Sequence, residues 1–334
     1  MSLRRRPGNV CNLAVWSCLL MAGQLSWESA KAADHGDTPS LVGANRRDAL
    51  ITDLHTFVRN GRLVLSVCTN PAIPVGATSY LFPSDLTVKI LVDRNCPVTF
   101  DHAGDLATYG GTIPSPEGIQ EDVVFQVTFP DGVNPVLSTQ GLSLAGQASV
   151  RVFAGLRDDP FIRGPRLGRN VAAIVIDIPL IHVATSQPTL VIWATSHVPE
   201  LAGPFQELAG RALRSMFPEN DPMNGMHPNQ HTGVMSVPPD VIIYNTSLPA
   251  LFPNGRELDD DVVNLVGDPR VLNNDAPFPS GNDRPFLDVF PYLAYAQGLE
   301  PTPLPALSSW GPAALIASML FGLALITHRR RKAA

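Results

Sequence analysis

Catalytic signatures are missing from this chain. Its 334 residues contain no GxSxG elbow, HExxH pair, phosphate-binding GxxxxGK[ST] loop, GxGxxG turn or CxxC. That removes the motif-based routes to the common hydrolases, zinc proteases and nucleotide enzymes without deciding against an enzyme altogether. Cysteine is scarce too, at four residues. Regular alternation of strand and helix signals is absent, which argues against a parallel α/β sheet. No internal repeat of solenoid or propeller period is visible. Basic charge is short away from the two ends. The whole chain carries 24 Lys and Arg against 30 Asp and Glu. Setting aside the eight basic residues and one acidic residue at the ends leaves 16 against 29, a net charge near -13. Such a surface repels phosphates, so no nucleic-acid partner is expected.

Proline and glycine are abundant, at 32 and 26. Together they stay below the roughly 25–30% typical of disorder. With 45% hydrophobic residues, the composition fits a folded, loop-rich β protein.

The two ends have their own designs. Residues 1–32 read as a secretory signal peptide. Arg4, Arg5 and Arg6 form its charged start, and Leu13 to Ala22 its short apolar run. Ala30-Lys31-Ala32 supplies the small-x-small pattern that signal peptidase fits, with cleavage after Ala32. An uncleaved N-terminal anchor is the alternative. A Pro-rich spacer spans 299–309 and a transmembrane or sorting helix 310–328. A basic tail, 329–334, contains Arg329-Arg330-Arg331-Lys332. The uncharged run has about the 20-residue length that crosses a bilayer, with Trp310 at interfacial depth. The basic cluster would stay cytoplasmic. The membrane is therefore an expected partner, with the body outside.

Residues 33–298 read as a single body. Strand character appears over Asp53–Val58, Leu63–Cys68, Leu86–Val92, Val123–Phe129, Ala148–Ala154, Val171–Ile178 and Leu190–Ala194. Asn60-Gly61 predicts a tight hairpin turn between the first two. Phe205, Leu208, Ala209, Ala212, Leu213 and Met216 recur at helical spacing after Pro204 and predict one amphipathic helix. The fold class is mainly β: an antiparallel sandwich-like body with that helix and long loops, or a propeller as the alternative. Cys11 and Cys18 lie in the signal segment. The remaining pair, Cys68 and Cys96, predicts a disulfide in an exported chain, against two buried thiols.

Four clusters draw attention: Asp34-His35-Gly36-Asp37-Thr38-Pro39, Phe153 to Phe161, Phe252 to Val263, and Phe290-Pro291-Tyr292-Leu293-Ala294. The second holds Arg157-Asp158-Asp159-Pro160. The third holds Asn254-Gly255-Arg256 and Asp259-Asp260-Asp261. With Ala49 to Phe57, this set in this order resembles the domain of unknown function 4331 family of exported bacterial proteins, over roughly residues 34–296. The Arg-Met-Gly-Arg-Pro stretch of that family is only faintly echoed around Arg211–Met216. The resemblance implies an address and a fold unit and brings no established activity. The tail resembles the IPTL type of C-terminal sorting signal, which implies a sorting protease as a further partner. The match there runs over Pro303 to Gly311, with an altered Ile-Pro-Thr-Leu core.

Adjacent carboxylates repel unless exposed, capped or bound to a cation. Asp158, Asp159, Asp260 and Asp261, joined by His35, Asp37 and Asp53, could therefore hold a divalent cation such as Ca²⁺. In the alternative reading, Arg157 and Arg256 pair with these carboxylates and pin loops, and Asn254-Gly255 makes a turn. A Met- and His-containing loop, Met223 to His231, is a candidate copper site. No nucleophile–base pair can be named. The chain is expected to be a structural or interaction module, ahead of a cation- or ligand-binding module or a metal-assisted hydrolase.

Overall fold

The computed structural model describes residues 38–74, 76–160, 168–211, 217–260, 262 and 282–299. The signal segment with Ala30 and Ala32, the terminal helix and basic tail, His35, Asp37 and Asp261 lie outside the described residues.

The body is mainly β, with two antiparallel sheets and few helices; neither a closed barrel nor a propeller is present among the described residues. One sheet contains β1 (Ile51–Arg59), β2 (Arg62–Thr69), β6 (Arg151–Asp158) and β7 (Asn170–Pro179), in the order β1-β2-β7-β6. The other contains β3 (Thr87–Asp93), β4 (Val123–Thr128), β5 (Val136–Gln140), β8 (Thr189–His197), β9 (Glu207–Ala209) and β10 (Ile242–Asn245). Its order is β10-β8-β3-β4-β5, with β9 also paired to β8. Among the described residues four short α-helices accompany them: α1 (Pro39–Gly43), α2 (Ala103–Tyr109), α3 (Leu144–Ser149) and α4 (Pro228–Met235).

The period of two in a strand sorts side chains between faces. Leu63, Leu65 and Val67 of β2 and Ile174, Ile176 and Ile178 of β7 point inward. They share one core with Val88, Ile90 and Val92 of β3, Phe125 of β4 and Ile192 of β8. The two sheets thus meet face to face across that core. Their other faces are covered as well, each over its own apolar cluster. Every residue of β7 from Asn170 to Ile178 is buried, as expected for an inner strand covered on both faces.

All seven expected strands form, within a few residues of their predicted ends. Asn60 and Gly61 take positive φ values of 53° and 71° and join Arg59 to Arg62 across a two-residue turn. That backbone twist matches the twist of the flanking strands.

Two expectations are corrected. The stripe from Phe205 does not form a helix over its described part. Glu207–Ala209 is β9, with Ser196 opposite Glu207 and Ala194 opposite Ala209. β10 occupies β8 from Thr189 to Ile192 and β9 takes the next stretch of the same edge. Backbone pairing to that edge outweighs a helical preference that is worth only tenths of a kcal/mol per residue. Residues 212–216 of the stripe lie outside the described residues.

Cys68 and Cys96 are not bonded to each other. Cys68 points to the outer face of the four-stranded sheet, whereas Cys96 belongs to the cluster on the outer face of the six-stranded one. The common core lies between them. A disulfide needs Cα atoms within about 7 Å, which two outward faces of packed sheets do not provide.

Candidate functional site on the outer face of the four-stranded sheet

Strand register places a polar patch on this face. Asp53 lies opposite Cys68, and His55 opposite Ser66. Val175 and Phe153 continue the His55 row, and Asp177 lies opposite both Val64 and Arg151. Asp53, His55 and Ser66 are each 1% exposed and Asp177 is fully buried. Charges at such positions are costly unless paired. The chain from Leu251 to Gln297 supplies much of the pairing, and the sequence motifs are the points of attachment.

The first attachment is at β1. Thr56 and Arg256 exchange two backbone hydrogen bonds at 2.9 Å. The Arg256 Nη2 then donates to Asp53 Oδ1 at 2.6 Å, an ion pair with side chains 7% and 1% exposed. Gly255 makes the approach possible. Its φ is +73°, and an added Cβ would lie 2.9 Å from the Thr56 carbonyl oxygen. Asn254 stabilises the neighbouring turn: its Oδ1 accepts from Asn245 N at 2.7 Å, and its Nδ2 donates to the carbonyls of Asn245 and Pro249. The tight turn itself is at Phe252-Pro253, two residues earlier than expected. Asp260 closes the segment, its Oδ2 accepting from the backbone N–H groups of Phe252 and Glu257 at 2.9 and 2.8 Å.

The second attachment is at β6. Arg157 forms an isolated β-bridge with Tyr295, and Asp158 N donates to Ala294 O. The Arg157 guanidinium lies 4.3 Å from the Phe153 ring centre and 5.4 Å from that of Tyr295. Asp158, 1% exposed, accepts from Gln297 Nε2 at 2.7 Å and from Asn282 Nδ2 at 3.1 Å. The same Gln297 nitrogen donates to Asp283 at 3.2 Å. Burial, and then the charge of Asp283, push the Asp158 carboxyl up to about 7 against the pull of those amides, with Asp159 adding a smaller push. Asp159 and Pro160 are buried beside it.

The third attachment is at the centre. Asp177 accepts from Arg62, from Arg151 Nε at 2.9 Å and Arg151 Nη2, and from the Tyr292 hydroxyl at 3.2 Å. Burial works to raise the Asp177 carboxyl, but the bonds from Arg151 and Arg62 outweigh it and hold the group below its ordinary value. Tyr292 sits edge-on to Phe57 at 5.9 Å and to Phe290 at 6.1 Å. The Phe290–Pro291 peptide that positions it is cis.

Of the proposed cation ligands among the described residues, Asp53, Asp158 and Asp260 have different partners. Asp53 faces Arg256, Asp158 faces two amides, and Asp260 is engaged by backbone N–H groups. Among the described residues no group of three His, Cys, Asp or Glu side chains is arranged to hold a metal ion. The loop assigned to the Met- and His-containing segment is corrected. Met223 to His231 is not a plain loop: Pro228 opens α4 at N1, and His227 Nδ1 accepts from Asn229 N as its cap. His227 Nε2 faces Glu121 at 3.3 Å. Both nitrogens of His231 are bonded, Nδ1 accepting from Asp240 N and Nε2 meeting the Met226 carbonyl at 2.9 Å.

His55, Ser66, Asp177, Arg62 and Arg151 were missed from sequence. Asp177 had a readable signal, a lone charge inside the apolar run Val171–Ile178. His55 and Ser66 had none, because only register makes them neighbours. They are not hydrogen-bonded to each other. Neither His55 Nδ1 nor Ser66 Oγ has a hydrogen-bond partner among the described residues. Burial, and then Arg256, push the His55 imidazole down to about 3, so it is neutral.

Comparison with family models, curated proteins and solved structures finds no match. Among the described residues no helix is long and apolar enough to cross a membrane.

Proposed function

We propose that this chain is an exported protein whose sandwich-like β body acts at the cell envelope as a structural or interaction module. On this reading the 1–32 signal delivers it through the membrane and is removed by signal peptidase. The 299–334 tail holds it there as a single-pass anchor or directs it to a sorting protease. The likeness of its motifs to the domain of unknown function 4331 family supports the same address.

One observation carries the non-catalytic reading. The charged motif residues are engaged with one another as attachments between a sheet and its cover: Arg256 with Asp53, Tyr292 with Asp177, and Gln297 with Asp158. Groups held this way set the position of a surface and do not present a nucleophile with a base. The acidic composition of the body fits a soluble surface outside the cytoplasm.

Mass spectrometry of the intact protein from fractionated cells tests the address. The expected envelope form begins at Ala33, and its C-terminal mass distinguishes a retained helix from a removed one. A cytoplasmic form beginning at Met1 would sink the proposal. Cross-linking in intact cells tests the role. A specific envelope neighbour is expected, and reproducible absence of one would remove the interaction half.

A further inference from the structure

The strand edges of the two sheets are not protected alike. A backbone edge left open accepts another strand, so folded proteins cover it or guard it with charge or proline. Arg256 covers β1 through its bonds with Thr56, and Tyr295 meets β6 at Arg157. On β10 the Ile243 carbonyl accepts from Gly255 N at 2.9 Å. β5 stands at the far end of its sheet and pairs with β4 alone. Among the described residues no backbone hydrogen bond reaches Val136–Gln140 from any segment but β4. The strand, Val-Leu-Ser-Thr-Gln, holds neither charge nor proline, and Val136, Ser138 and Gln140 are exposed.

Both ends of this edge are apolar. Leu144 opens α3 just after β5, and α3 touches the turn at Leu180–His182: a Cβ added at Gly146 would lie 3.3 Å from His182 Cβ. Leu81 flanks the start of the strand, where Phe82 N donates to the Gly132 carbonyl at 2.9 Å. Leu144, Ile181 and Leu81 are the three most exposed large apolar side chains among the described residues, and Val133 and Val136 are exposed as well. Charge differs between the ends. Arg94 Nη2 donates to the Gly141 carbonyl at 3.4 Å. Before β5, Asp131 Oδ1 accepts from the backbone N–H groups of Val133 and Asn134 at 2.9 and 2.7 Å. The Arg94 end also holds Asp122, whose Oδ2 accepts from the Arg94 backbone N–H and from Asn95 Nδ2.

A second copy of this chain fits the edge on each count. A two-fold axis at Ser138 sets Val136 against Gln140 of the second copy, Leu137 against Thr139, and Ser138 against itself. It also turns the Leu81 and Asp131 end of one copy towards the Leu144 and Arg94 end of the other, twice per pair. Apolar side chains then meet apolar ones, and an acidic side chain faces a basic one. The strand at which the two acidic bodies would join is itself uncharged. We propose that the protein dimerises through β5, antiparallel to β5 of a second copy, so that the six-stranded sheet continues across both. This inference rests on the interaction half of the function proposed above and names the partner.

Cysteine placement on the full chain in detergent tests the register. Opposed residues of an antiparallel pair have Cα atoms about 4.5–5.5 Å apart, within reach of a disulfide. Ser138→Cys is therefore expected to give a disulfide-linked dimer under mild oxidation. Gln140→Cys, also exposed, should not, because its two copies stand about 14 Å apart; mixed with Val136→Cys it should. In sedimentation, Ser138→Lys sets like charges face to face at an exposed position and should weaken the dimer at least about fivefold. Arg94→Glu and Asp131→Arg should each weaken it, and together they should restore it. A monomer at micromolar concentration overturns the proposal. So does cross-linking without preference among these positions, or a dimer that Ser138→Lys leaves unchanged. A monomer that still cross-links to a different envelope protein in cells would end the dimer and leave the interaction reading standing.

Discussion

The outer faces of the two sheets solve the same problem in different ways. On the four-stranded sheet the cover is attached through an ion pair at Asp53 and through hydrogen bonds to the carboxyl groups of Asp158 and Asp177, with aromatic rings packed between. On the six-stranded sheet the layer is apolar, built on Leu91, Val191, Trp193, Leu208, Val241 and Ile243. Apolar packing is non-directional and tolerates gaps at the margin, and a cavity lined in part by Val241 and Ile243 lies beside this layer. A buried ion pair is directional and fails if its partner shifts, so the charged cover has one register. The difference suggests where each face can change: the first only as a unit, the second locally.

The largest effect expected is on the charged face. Arg256→Ala leaves the Asp53 carboxylate buried without its cation and should cost about 3–5 kcal/mol in chemical denaturation. A loss under about 1 kcal/mol would mean that charge does not attach this cover. Asp177→Ala should cost less, about 2 kcal/mol, because Arg62 and Arg151 are partly exposed and water can take over their donors. Tyr292→Phe, removing one of those bonds, should cost about 1 kcal/mol.

Acidity separates two carboxylates within the same cover. Asp158 has a folded-state pKa raised to about 7, so below that pH the folded protein holds a proton that the unfolded chain releases above about 4. Its contribution to stability is full below pH 4 and is lost as pH rises towards 7. Asp177, with a lowered value, behaves oppositely: its contribution is present above the ordinary carboxylate pKa and is lost as pH falls below it. Denaturation midpoints from pH 3 to 8 should therefore flatten between 4 and 7 in Asp158→Asn while the acid-side loss remains. An unchanged slope in that variant would show that Asp158 does not titrate there.

Smaller effects bear on local geometry. Gly61→Ala imposes a positive φ on a residue with a Cβ but meets no neighbour within 4 Å, so about 1 kcal/mol is expected from the backbone alone. Reducing agent should leave the denaturation midpoint unmoved, and unreduced digestion should give no peptide joining Cys68 to Cys96. A linked peptide would mean that the two outer faces come together.

Much of the β architecture was legible in the chain itself. Alternation in Val123 to Phe129 and the apolar run Val171–Ile178 mark strands because side-chain period follows from backbone geometry, and Asn60-Gly61 marks its turn for the same local reason. The sites were legible in part. Arg157, Asp158, Asn254, Gly255, Arg256 and Tyr292 were singled out in advance. That Arg256 would face Asp53, about 200 positions away, could not be read, because spacing says nothing about which distant segments meet. The tertiary structure alone decided that Phe205 onward offers a strand to β8, since an open sheet edge satisfies backbone groups more completely than a short helix would. It alone put Cys68 and Cys96 on opposite sides of the core, because facing is set by register. And it alone gave Asp53, Asp158 and Asp260 their separate partners, because a buried carboxylate takes whichever donor the packing brings within reach.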